Sequence, residues 1–167
     1  MKQEGLFRVN GNMKVVERLK IAFDKCGDAD LEEIGDVPAA ASLLKMFLRE
    51  LTDPVIPELM QPVFIQIQDQ YCKEKEKAIP LYKELVKRMP PINAYLLKYL
   101  CTFMLTIADG SDVNKMTPLA LAIVFAPNIF RVGEGLEGLK DQAYVNAVQL
   151  TMLQAFEEIF LVILKLF

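Results

Sequence analysis

One short stretch near the start of the chain has an unusual chemical makeup: Glu4-Gly5-Leu6-Phe7-Arg8-Val9-Asn10-Gly11-Asn12 sets an arginine between two glycines, with apolar Phe7 and Val9 beside it. Apolar neighbours can anchor such a loop while the arginine points outward. A guanidinium is permanently charged, planar and carries five donors, which suits it to the negative charge spread over a transferring phosphoryl group. Supplied to another protein's active site, it would be an arginine finger; the plain alternative is a surface arginine on a turn. A second set is Ser42, Lys45 and Arg49. At about 100° per residue these fall within a helix sector of roughly 60°, opposite Leu43, Leu44, Phe47, Leu48 and Leu51. That sector is either a cationic contact face or the ordinary solvated side of an amphipathic helix. The third candidate is Asn128, directly after the apolar run that ends Phe125-Ala126-Pro127. Its amide could meet backbone groups of a partner or close its own turn.

Composition removes many alternatives. The 167 residues contain no histidine, which excludes imidazole acid–base chemistry, Ser/His and Cys/His nucleophile pairs and any zinc site needing a histidine ligand. Cys26, Cys72 and Cys101 are far apart in sequence and form no C-x-x-C pair, so neither a disulfide framework nor a four-thiolate metal site is supported. Nineteen basic against twenty-two acidic residues leave a net charge of −3, which argues against nucleic acid as the main partner. No signal peptide opens the chain, and its longest apolar run, residues 159–167, is interrupted by Lys165 and spans about half a membrane. The expectation is a cytoplasmic protein without a transmembrane segment. The length, with 53% hydrophobic residues, suits one globular domain over residues 1–167, with an apolar tail at 161–167.

The elements that must carry these residues read as helices. Residues 12–26 place Val15, Val16, Leu19, Ala22 and Phe23 on one face, with Asn12 as N-cap and Gly27 as stop. Asp36 caps a second helix reaching Leu51. Further helices are expected over 58–71, over 74–89 with Pro80 demanding a break or kink, and over 93–108. Thr117-Pro118 should start a short buried helix that stops before Pro127. Gly133, Gly135 and Gly138 mark a loop, and a final helix from Leu139 to about Leu164 turns Tyr144, Val148, Met152 and Phe156 toward the core. Those glycines satisfy G-x-G-x-x-G letter for letter, but a helix start upstream and two internal glutamates deny the strand and anion-binding context of a dinucleotide loop. No period-two alternation was found, so the class is all-α.

Taken in order, Glu4-Gly5-Leu6-Phe7-Arg8, the stretch from Ala41 to Leu51 (A-S-L-L-K-M-F-L-R-E-L), Asn114-Lys115-Met116-Thr117, and Leu121-Ala122-Ile123-Val124-Phe125-Ala126-Pro127-Asn128 resemble the RhoGAP domain. The likeness runs over residues 3–160. Gly135-Leu136-Glu137-Gly138-Leu139-Lys140 is similar, more finely, to the subgroup named for its sequence similarity, number thirteen. The resemblance implies a single helical bundle that docks on a GTP-loaded Rho-family small GTPase and speeds hydrolysis of its GTP. It implies Arg8 as the finger, Lys45 and Arg49 as partner-contacting cations and Asn128 as an amide at the docking surface. GTP, magnesium and the water-orienting glutamine would belong to the GTPase, so this chain needs no cofactor or metal and is no enzyme by itself.

The sequence departs from the family pattern at Thr52, where a proline is usual, and at Ala126, where a glycine is usual. The family has one or two helices before the E-G-x-F-R motif. Only Met1, Lys2 and Gln3 precede it here, so the expectation is a domain lacking them, with a less braced finger loop. Two other functional classes stay open on these residues: a module that binds the GTPase without accelerating it, and a helical scaffold whose partner is not a GTPase.

Overall fold

The computed structural model describes residues 3–131 and 135–161, and the side chains of all of these except 135–137. Its elements are helices throughout, in keeping with the all-α expectation, and no strand occurs among the described residues.

Helix α1 (Met13–Cys26) begins where Asn12 accepts a hydrogen bond from Lys14 N–H and ends at Gly27, whose φ of 73° supplies the left-handed stop. A one-turn helix α2 (Leu31–Ile34), capped by Asp30, was not foreseen. Helix α3 (Val37–Glu50) starts where Asp36 accepts from Ala39 N–H at 2.9 Å, with Pro38 in its first turn. Its apolar stripe is shared between neighbours. Leu48 is buried in the main core, Leu44 and Leu51 pack on that core, Leu43 and Met46 pack on a satellite cluster of Val16, Leu19 and Ala39, and Phe47 is 57% exposed. Phe47 belongs to an apolar groove of about 970 Å³ lined also by Leu6, Phe23, Leu31 and Phe103.

Helix α4 (Gln61–Gln70) starts three residues later than expected, and α5 (Lys75–Arg88) is not broken by Pro80. Pro80 is the sixth residue of α5 and is exposed, so the one bond it deletes frees a carbonyl in the first turn beside water, where the loss is small. Helix α6 (Pro91–Ala108) is long and apolar enough to cross a membrane by length and composition, but here Leu97, Leu100, Cys101, Met104 and Ile107 bury one face of it in the core. After the one-turn α7 (Ser111–Asn114), α8 (Pro118–Ile129) is capped by Thr117 and runs through Pro127 instead of stopping before it. Leu121, Ala122, Phe125, Ala126 and Ile129 bury α8 so thoroughly that packing outweighs one missing N–H.

The expected glycine loop is partly helix. Helix α9 (Gly135–Gln154) includes Gly135 and Gly138, while Gly133 lies outside the described residues. Val148 and Met152 are buried as expected, but Tyr144 is only half-buried and its hydroxyl bonds to Asp69 on α4. The final helix is also not continuous. Ala155, with φ −109° and ψ 33°, separates α9 from α10 (Phe156–Phe160); the expected continuation to Leu164 and the tail 162–167 lie outside the described residues.

α8 and α9 form the largest helix–helix contact, α4 and α5 cover α9, and α3 joins α8 to α1. Phe64, Tyr82, Phe125, Phe130 and Phe160 fill the core without exposure. Burial pushes the Tyr82 phenol upward and the Cys101 thiol up to about 12, so neither ionises near neutral pH. Cys26 and Cys72 are exposed free thiols.

Candidate functional site

Gly5 N–H donates to the Asn114 carbonyl at 2.8 Å, tying the start of the arginine loop to the end of α7. The Gly5 carbonyl then accepts from Arg8 N–H at 2.9 Å and Val9 N–H at 3.0 Å, closing a tight turn. Gly5 has φ 69°, a conformation that favours glycine, and its missing Cβ would stand 3.0 Å from Val9 Cγ2, close enough that the valine side chain would have to shift. Phe7 also has positive φ, 70°, which is uncommon for a bulky residue and persists only where the surroundings enforce it. They do. The Phe7 ring is 4% exposed, edge-on to Phe103 at 5.7 Å between centroids and tilted on Phe125 at 4.9 Å.

The far end of the loop is held by α3. Gly11 N–H donates to Ser42 Oγ at 3.0 Å, and a Cβ on Gly11 would come within 2.3 Å of Ala39 backbone, so only glycine lets the loop lie against the helix. Lys45 Nζ donates to the Phe7 carbonyl at 2.6 Å. The sector of α3 carrying Ser42 and Lys45 therefore faces the arginine loop and braces it, with the loop's helical support coming from α3, α6 and α8. Burial, and then the charge of Arg49, hold the Lys45 ammonium below its ordinary value. Arg49 follows one turn later, about 6 Å along the axis, and is exposed.

Arg8 itself is exposed, with its guanidinium lying beside Gly5, and makes no side-chain hydrogen bond or ion pair among the described residues. Its neighbours are tied down and its charge is not used. Lys45 thus reaches the backbone next to Arg8, and Arg49 lies one turn further along the same helix. Asn128 sits differently: it is 5% exposed and its Nδ2 donates to Val124 O at 2.7 Å, closing the last turn of α8. That bond corresponds to the second of the two roles its sequence context left open.

Two residues of the site have no role assigned to them by the sequence, although Asn114 opens the Asn114-Lys115-Met116-Thr117 motif. Asn114 is fully buried and its carbonyl receives the arginine loop. Arg131 extends its guanidinium to the carbonyls of Thr52 at 3.1 Å, Arg49 at 3.4 Å and Leu51, closing the C-terminus of α3. At the departure from the family pattern at Thr52 the bond to Arg131 uses only the backbone carbonyl, which a proline would also offer, and Ala126 is accommodated with no exposure.

Residues 1–134 match the RhoGAP domain family. The chain belongs to that family. As a RhoGAP domain it is 39% identical over 147 residues to the Rho GTPase-activating protein gacY of Dictyostelium discoideum, covering 87% of this chain and 20% of that one. It is 37% identical over 163 residues to Rho GTPase-activating protein 24 of Mus musculus, covering 96% of this chain and 22% of that one. The chain therefore spans about a fifth of the length of these relatives. Among solved structures, human Rho GTPase activating protein 15 superposes with a TM-score of 0.87 at 26% identity, over 95% of this chain and 76% of that one. The BH domain of GRAF, the GTPase regulator associated with focal adhesion kinase, gives 0.82 at 27% identity, over 95% and 85%.

Proposed function

We propose that this RhoGAP domain is a GTPase activator that docks on a GTP-bound Rho-family small GTPase and inserts Arg8 beside the phosphate that is leaving. The observation that carries the reading is Arg8: an exposed guanidinium, unpaired among the described residues, on a loop whose flanking backbone is hydrogen-bonded to α3 and α7. An arginine presented in this way has little backbone freedom left to lose on docking and brings a fixed fork of donors to the transition-state charge. Lys45 and Arg49 extend the positive face toward an anionic partner surface and hasten encounter. Asn128, its nitrogen held by Val124 O at the end of α8, is the amide at this docking surface. GTP, magnesium and the attacking water belong to the GTPase, and this chain contributes no cofactor and no covalent step. The free thiols of Cys26, Cys72 and Cys101 fit a reducing cytoplasmic setting.

Single-turnover GTP hydrolysis by a panel of Rho-family GTPases, with wild-type chain and Arg8→Ala side by side, tests the reading. An arginine supplied in trans is worth about 10³ to 10⁵ in rate, so Arg8→Ala should lose most of the acceleration while keeping cooperative unfolding. Acceleration that persists in Arg8→Ala would remove the finger. Affinity for the GTP-loaded partner without any acceleration by wild type would leave a binding module.

A further inference from the structure

We propose that Asn114 is a positioning residue for Arg8: its buried amide shapes the corner between α7 and α8 so that its own carbonyl fixes the root of the arginine loop. The proposal rests on the arginine-finger reading above. Asn114 has no exposure, and both ends of its side chain are used. Nδ2 donates to Ile107 O at 2.9 Å in the last turn of α6, and Oδ1 accepts from Met116 N–H at 2.8 Å ahead of α8. Lys115, left-handed at φ 60°, reverses the chain immediately afterwards, and its N–H bonds to Ser111 O at 2.9 Å.

With these bonds in place the carbonyl of Asn114 has one direction, and Gly5 N–H lies on it at 2.8 Å. Gly5 O in turn accepts Arg8 N–H. Two backbone hydrogen bonds thus separate the Asn114 carbonyl from the arginine's own amide. The Asn114 side chain is fully buried and spends its hydrogen bonds on the end of α6 and the residue ahead of α8, so it acts through Arg8 and makes no contact with substrate. Small misplacement of a group that must meet a transition state costs rate while ground-state binding is retained, which gives the proposal a signature that a loss of fold lacks.

The test measures single-turnover hydrolysis against activator concentration, using a GTP-loaded Rho-family GTPase that wild type accelerates, for Asn114→Ala, Arg8→Ala and the double variant. Folded fraction is normalised by cooperative unfolding. Asn114→Ala should lower the saturating rate by about tenfold or more while the half-saturating concentration stays within about twofold, and in the Arg8→Ala background its effect on rate should shrink below about twofold. An equal loss in both backgrounds, a loss confined to affinity, or an unchanged rate overturns the positioning role. A fully active Arg8→Ala overturns the finger reading itself. If Asn114→Ala does not fold, Gly5→Ala makes the same test from the other side of the link. It leaves both Asn114 side-chain bonds intact but puts a Cβ on a left-handed residue 3.0 Å from Val9 Cγ2, and it should show the same split.

Discussion

Arg8 and Arg131 carry the same guanidinium, and the fold uses them in opposite ways. At the α3 corner, Arg131 gives its donors to the carbonyls of Arg49, Leu51 and Thr52, and stands 3.8 Å from Glu58. Its main-chain N–H meets Gln61 Oε1 at 3.2 Å, and Gln61 Nε2 meets Ile56 O at 2.8 Å. A helix C-terminus offers unpaired carbonyls and the negative end of the dipole, so a cation there satisfies a need of the chain itself. In the loop of residues 4–12 the hydrogen bonds go the other way. Backbone and neighbouring side chains are anchored by Asn114, Ser42, Lys45 and the aromatic socket, while the Arg8 guanidinium is left out of every bond among the described residues. The contrast teaches that a functional cation is recognised by how fully its surroundings are satisfied while it is not. Charge alone does not separate the two.

That comparison can be broken at several points. The largest effect belongs to Arg8→Ala, which should abolish most activation and leave thermal unfolding unchanged; a loss of stability comparable to a core variant would place Arg8 with Arg131 as a structural arginine. Arg131→Ala should do the reverse. Removing a charged donor from three carbonyls is expected to cost about 1–2 kcal/mol in denaturant unfolding, the group being partly exposed, with a rate loss well short of that at Arg8.

Lys45 sharpens the comparison through pH. Its folded value lies below the ordinary 10.5, so in the window between the folded value and 10.5 the unfolded chain binds more protons than the native one. Stability from this group therefore rises as pH increases through that window, whereas docking that needs the ammonium weakens. Titration of stability and of GTPase affinity should show these opposite slopes in wild type, and Lys45→Met should lose both. The smallest effect is expected from Lys20→Ala. Its ion pair with Glu50 at 2.6 Å joins exposed side chains of α1 and α3, and neither melting temperature nor activation should change measurably.

Local signals made much of the fold legible. Asn12, Asp36 and Thr117 cap the helices they were expected to cap, and Gly27 ends α1, because each of these decisions involves atoms only a few residues apart. The same locality explains the misses. Pro80 and Pro127 are breakers by propensity, yet α5 continues because the bond lost at Pro80 frees a first-turn carbonyl beside water, and α8 continues because burial of its apolar face outweighs one lost bond. Phe47 reads as core by spacing but faces a groove, since which side of α3 is covered depends on where α1 and α8 lie. Helix α9 starts among glycines that suggest a loop, and Ala155 ends it with no residue type to announce the break.

For the site, the residue types were legible and the roles were divided later. By itself the sequence determined that the chain has no imidazole chemistry, that it folds as helices, and that a glycine-flanked arginine and an i, i+4 pair of cations on one helix face are present, because composition and periodicity are properties of the chain alone. Only the tertiary structure decided that Lys45 bonds the carbonyl beside Arg8, that Asn128 turns its amide nitrogen to its own helix, that Asn114 holds the root of the loop, and that Arg131 is used up on α3. Each of these is a hydrogen bond whose partner is chosen by packing, and packing brings together residues that the sequence keeps as many as 82 positions apart.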